Sequence, residues 1–109
     1  MSFKAVSDKV AVSPQISLSV LDELKAEGFT TVISNRPDNE EPGQPSFADV
    51  KAAAEAAGLE AHHIPIRPGQ ATPADVAAFG KAIDDAGGKV LAFCKSGGRS
   101  QSLFEASRR

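Results

Sequence analysis

Segments that favour strands and segments that favour helices take turns along this chain, which restricts it to a sheet clad by helices. Val10-Ala11-Val12 is a short apolar run, predicted as a strand that pairs with Phe3 to Val6. Ser17 stands where an N-cap belongs, and Leu18, Leu21 and Leu24 recur at helical spacing until Gly28 stops the helix. Thr30 to Ser34 is β-branched and short, a buried strand. Ser46 with Asp49 three residues on resembles a capping box and opens an Ala-rich helix ending at Gly58. Leu59 to Ile64 is the next strand. Thr72-Pro73-Ala74-Asp75 then starts a helix with an N-cap, a proline at N1 and an acid at N3, and Val76, Phe79 and Ile83 form its apolar stripe up to Gly87-Gly88. Lys89 to Phe93 is almost continuously apolar, as a central parallel strand would be, and a helix is expected over Ser100 to Arg109. Strand–helix alternation of this kind implies βαβ units, hence an α/β fold of three αβα layers around a mainly parallel sheet. The last helix is short for its position, so either it is curtailed or a partner chain completes the layer, which leaves room for an oligomer.

A length of 109 residues suits a single domain, expected to span residues 1–109. A formal charge of -2 without a basic stripe gives no footprint for nucleic acid, and six Phe without Tyr or Trp make a poor stacking platform for single strands. Met1 to Val6 lacks the apolar stretch of a signal peptide, and no segment has the length to span a membrane. The single cysteine cannot form an internal disulfide, so cytoplasm is the expected compartment. No cofactor is implied. His62 and His63 adjoin in a predicted strand, face opposite sides and have no cluster of other ligands nearby, so structural roles are expected of them and no metal site.

Chemistry concentrates at Cys94-Lys95-Ser96-Gly97-Gly98-Arg99. In open α/β sheets ligands bind at the carboxyl ends of the strands, and Cys94 directly follows the most apolar one. Gly97 and Gly98 allow a sharp turn that points successive N–H groups into one concavity, and the helix expected to start near Arg99-Ser100 adds its N-terminal partial positive charge. Arg99 offers a planar fork of donors for a tetrahedral oxyanion. The same features lower a cysteine pKa from about 8.5 toward roughly 3.5–7.5. A lone cysteine is ordinarily a small buried hydrophobe; two glycines and an arginine after a strand point instead to a nucleophile beside an anion site formed by Lys95, Ser96, Gly97, Gly98 and Arg99.

The run Cys-x-x-Gly-x-Arg-Ser resembles the phosphate loop of cysteine phosphatases of the dual-specificity type. More closely, the chain resembles the bacterial phosphatase-like domain found alone or fused to β-lactamase-like hydrolases, some members of which are labelled sulfurtransferases. The matching segments are Val12-Ser13-Pro14-Gln15, Asn35-Arg36-Pro37-Asp38, Glu40 to Pro45, His63-Ile64-Pro65 and Cys94 to Ser100, in the family's order. The resemblance implies a phosphatase-like αβα fold and hydrolysis of a phosphomonoester through a cysteinyl-phosphate on Cys94. It also implies that Arg99 binds phosphate oxygens, and that Ser100, matching the hydroxyl residue after the arginine, assists loss of the thiolate.

Two departures keep other functions open. Four residues separate Cys94 from Arg99, one fewer than in tyrosine phosphatases; a six-residue loop is closer to that of rhodanese-like sulfurtransferases, which carry sulfane sulfur as a cysteine persulfide. The loop where dual-specificity phosphatases carry their general acid is here Pro65 to Gln70, with no carboxylate, and Asp75 beyond it is expected to cap a helix. Asp38, Glu40 and Glu41 lie on the long loop after an earlier strand; Asp38 is the acid assigned to protonate a leaving group, against the alternative of a solvated acidic loop. Arg36 is expected to pair with its own loop's acids, and Arg67 stands where the family's acid would be. The expected partner is a phosphate-bearing or sulfane-sulfur small molecule or protein, with a non-catalytic module binding an anion or a protein as the third alternative.

Overall fold

A computed structural model describes residues 3–109; Met1 and Ser2, the start of the segment expected to lack a signal sequence, lie outside the described residues. The strands are β1 (Lys4–Ala5), β2 (Val10–Ser13), β3 (Phe29–Ser34), β4 (Glu60–His63) and β5 (Lys89–Phe93), in the order β1-β2-β5-β3-β4. Only β1 runs antiparallel, against β2, so the sheet is mainly parallel as expected. The helices are α1 (Leu21–Ala26), α2 (Phe47–Ala56), α3 (Pro73–Asp85) and α4 (Gly98–Ser107).

Alternation along the strands divides the core in two. Val10, Val12, Ile33, Val90 and Ala92 face one side, under Phe79, Ala82 and Ile83 of α3 and Leu103 of α4. Ala11, Val32, Leu91 and Phe93 face the other, under Leu21 and Leu24 of α1 and Val50 and Ala54 of α2. Phe29 joins the second side although it lies an odd number of positions from Val32; the register shift between Phe29 and Thr31 against β5 turns it over.

Four elements differ from expectation in their bounds. Ser17 does not cap an α-helix: its hydroxyl lies 3.0 Å from that of Ser19, a single 3-10 turn covers Leu18–Val20, and α1 begins at Leu21. Leu18 is 38% exposed, so the buried stripe starts with Leu21, whose burial and that of Leu24 decide where the helix settles. Strand β3 starts at Phe29, and β4 is shorter at both ends than the apolar run suggests. The last helix starts at Gly98 and closes at Ser107, two residues before each expected end. The start of α3 matches its pattern in full, with Thr72 and Asp75 forming a reciprocal capping box and Pro73 at the first position.

Register then assembles a site. Ser13 of β2, Phe93 of β5, Ser34 of β3 and His63 of β4 lie side by side in three consecutive parallel pairings. The residues that leave these ends together are therefore Pro14-Gln15, Cys94-Lys95, Asn35-Arg36 and Ile64.

Candidate active site

Cys94 leaves the middle strand fully buried, and its N–H donates to the Ser13 carbonyl at 3.3 Å. The turn that follows depends on Gly97, which has φ +94 and caps α4. A Cβ there would sit 3.4 Å from the Ser13 carbonyl carbon in a conformation that L side chains rarely adopt. Gly98 is already helical, so of the two glycines only Gly97 has a positive φ. The turn brings the Gly97 N–H to 3.0 Å from Cys94 Sγ. Burial pushes the Cys94 thiol up, but hydrogen bonds from the backbone N–H groups of Ser100, Ser96, Arg99 and Gly97 outweigh it, and the net direction is down. Main-chain donors thus favour the thiolate over what burial alone would allow.

Arg99 is clamped from one side. Its Nη1 donates to Glu40 Oε2 at 2.7 Å and to the Ile66 carbonyl at 2.9 Å, and its Nη2 donates to Glu40 Oε1 at 3.0 Å. Its Nε–H and the second Nη2 hydrogen have no protein acceptor among the described residues, and remain for an anion. Glu40 Oε1 also accepts from Arg36 Nε at 2.8 Å, so one carboxylate joins two arginines. Arg99, then Arg36, outweigh desolvation and hold the Glu40 carboxyl down at about 2. Glu41 lies 2.8 Å from Arg36 Nη2, a charge contact without hydrogen-bond alignment, and 3.6 Å from Lys95 Nζ. Arg36, its side chain 1% exposed, completes its bonds with Gln15 Oε1 at 2.9 Å. The pairing expected of Arg36 with its own loop's acids is what the structure has.

The acidic loop therefore lies across the cysteine loop, with Glu40 and not Asp38 at the contact. Asp38 is exposed, and its Oδ1 accepts the first N–H of α2, from Phe47, at 2.8 Å. Asp75 is likewise committed, to Thr72. Ser100 is fully buried, and its hydroxyl donates to Asn35 Oδ1 at 2.8 Å. Lys95, Ser96 and Gly98 are exposed around the loop, and Arg67 is exposed in the segment whose Ile66 carbonyl meets Arg99. His63 stacks on Phe47 with ring centroids 4.5 Å apart and meets the Arg36 carbonyl at 2.9 Å, which pins the acidic loop; His62 points to solvent. Among the described residues no group of His, Cys, Asp and Glu could hold a metal.

Sequence reasoning named Glu40 only as one of three acids on its loop and gave Gln15 and Asn35 no role beyond their place in the segments that match the family. A further signal for Glu40 was its place four residues after Arg36.

The sequence model of the phosphatase-like domain of beta-lactamase hydrolase-like protein matches residues 2–108 of this chain. The chain belongs to that family. The phosphatase-like domain is 37% identical over 99 residues to the beta-lactamase hydrolase-like protein of Agrobacterium fabrum, a match covering 91% of this chain and 23% of the relative. It thus spans about a quarter of the length of the curated relatives it matches. Among solved structures, a candidate phosphatase of Neisseria meningitidis superposes with a TM-score of 0.87 at 34% identity, over 95% of this chain and 74% of that one. Pseudomonas aeruginosa TpbA, a cysteine-to-serine form in complex with phosphotyrosine, superposes with a TM-score of 0.68 at 16% identity, over 99% and 72% of the two chains, and shows the shared fold. This αβα architecture is that of phosphatase-like proteins, and no helix among the described residues is long and apolar enough to cross a membrane.

Proposed function

We propose that residues 1–109 form one domain that hydrolyses phosphomonoesters through a covalent intermediate on Cys94, with cytoplasm as its expected compartment. The observation that carries this is a buried sulfur that accepts the Gly97 N–H at 3.0 Å in the turn that opens α4, beside an arginine fork with free donors. The thiolate attacks phosphorus; the P–S bond forms as the ester P–O bond breaks, while Arg99 and the amides of Lys95 to Arg99 hold the phosphate oxygens. Water then attacks phosphorus, the P–S bond breaks, and phosphate leaves with the thiolate restored. The phosphotyrosine held by TpbA supports a phosphate-bearing substrate, either a small molecule or a protein.

The leaving oxygen needs a proton, and Glu40 has none to give at neutral pH because Arg99 and Arg36 keep it ionised. Asp75 is held in its capping box. Asp38 is the acid assigned, and to act it exchanges the Phe47 N–H for the leaving group. Asp38→Asn is expected to slow hydrolysis of an alkyl phosphate by 10²-fold or more and that of an activated aryl phosphate far less, by the usual yield of about 10²–10⁴ for a general acid. Equal effects on both substrates, or none, remove Asp38 from the reaction.

Two observations favour a second function, sulfur transfer: Cys94 is fully buried, and no free carboxylic acid adjoins it. Here the thiolate would take the outer sulfur of thiosulfate, expelling sulfite, and pass it to cyanide as thiocyanate; no oxygen leaving group has to be protonated. A paired assay separates the two functions: aryl phosphate against thiosulfate with cyanide, using wild type and Cys94→Ser. Cys94-dependent thiocyanate without phosphate release would replace the phosphatase assignment.

A further inference from the structure

Asn35 is fully buried, and each of its four polar groups is engaged. Its N–H donates to the Phe93 carbonyl at 2.8 Å, its carbonyl accepts from the Ile66 N–H at 3.1 Å, its Nδ2 donates to the Ile64 carbonyl at 3.0 Å, and its Oδ1 accepts from Ser100 Oγ at 2.8 Å. Chemistry dictates where the hydrogens lie. The Ile64 carbonyl can only accept, so it must face the NH2 of Asn35, which leaves Oδ1 facing Ser100. An amide oxygen can only accept as well. The single hydroxyl hydrogen of Ser100 is therefore spent on Asn35, and Ser100 Oγ presents only lone pairs in other directions, which a thiolate repels.

We infer that Asn35 is a positioning residue for the nucleophile: it withholds the Ser100 hydroxyl from Cys94, so that the sulfur is served by backbone N–H groups alone. This is the reverse of the role that the motif implies for Ser100. The turn that presents an N–H to the sulfur is held in place, because the start of α4 is tied through Ser100 and Asn35 to the ends of β3, β4 and β5. Departure of sulfur from a covalent intermediate then has the help of the amides and not of the hydroxyl. The charged groups around the loop are Arg99 and Lys95 on it and Arg36, Glu40 and Glu41 from the segment after β3. The segment after β2 brings uncharged Pro14 and Gln15, and His63 of β4 turns to the Arg36 carbonyl. None of these is altered in the variants below. The inference rests on Cys94 as the reactive thiolate, and does not need phosphate as the substrate.

The test is the pH dependence of Cys94 alkylation by iodoacetamide in wild type, Ser100→Ala, Asn35→Ala and the double variant. Ser100→Ala is expected to leave the midpoint within about 0.3 unit of wild type, since no hydrogen bond to sulfur is lost. Asn35→Ala frees the hydroxyl to turn to the sulfur and lowers the midpoint, and the double variant returns it to the Ser100→Ala value. A rise of roughly one unit in Ser100→Ala would mean that the hydroxyl already serves the sulfur, and overturns the inference. So does an Asn35→Ala midpoint that is unmoved, or lowered equally without Ser100. Should Asn35→Ala not fold, the side-chain amide signals of Asn35 in NMR spectra decide alongside Ser100→Ala: they must move when the hydroxyl is removed, and unmoved signals overturn the assignment. A wild-type midpoint near about 8.5 would strike at the reactive thiolate itself, while the variants would still report where the hydrogen lies.

Discussion

Glu40 bears the most concentrated set of charge contacts in the site, because one carboxylate joins Arg99 of the cysteine loop to the buried Arg36. A buried guanidinium without its carboxylate is costly, whereas a bidentate pair also fixes the plane of the fork. The pH consequence has a definite sign. The Glu40 carboxyl moves from 4.5 to about 2 on folding, so its contribution to stability is fully present above the unfolded value and is lost as pH falls toward 2. Glu40→Gln should therefore lower the melting temperature clearly at pH 7 and progressively less as pH falls below 4.5 toward about 2, because the unfolded carboxyl takes up its proton first. Thermal melts at several pH values check this; a constant difference down to pH 3 would deny the ionised pair its role.

At the scale of elements, the junction of β5, the cysteine loop and α4 turns on one backbone conformation. Gly97 has a φ of +94, which L side chains rarely adopt, while a Cβ there would only touch Ser13 of β2 at 3.4 Å. Gly97→Ala is expected to destabilise by about 1–2 kcal/mol, the usual cost of an L residue in the left-handed region, and urea unfolding measures it. Because the same turn aims N–H groups at Cys94, the variant should also slow alkylation at neutral pH. Stability lost without slower alkylation would separate the cradle from the turn.

For the whole molecule, the proposed anion site is a convergence of ends: β2, β3, β4 and β5 stop in register, and α4 begins there. An anion bound only in the folded state stabilises it by about 1.4 kcal/mol at tenfold its Kd, roughly 6 °C of melting temperature for a domain of this size. Phosphate or sulfate should raise the melting temperature of wild type by this order and leave that of Arg99→Ala nearly unmoved. Equal shifts in both proteins would locate the anion elsewhere.

Much of this was legible one residue after another, because its causes are local. Thr72, Pro73 and Asp75 cap a helix through neighbours three positions apart. The apolar run before Cys94 marks a central strand, and Gly97 after it marks a sharp turn whose own N–H meets the sulfur. What joins distant segments was not legible. Leu18 keeps helical spacing yet stays exposed, since spacing gives a direction and not the place of the sheet. Among three acids on one loop, nothing in their order says that Asp38 turns to Phe47 while Glu40 reaches Arg99, 59 residues away. Asn35 and Ser100, separated by 65 residues, meet only because β3 and β5 pair in register. Local chemistry, written in spacing and conformational preference, determined the elements and the candidate nucleophile; hydrogen bonds between segments far apart in the chain exist only once the sheet has closed, and these decided which carboxylate meets Arg99 and which side chain takes the Ser100 hydroxyl.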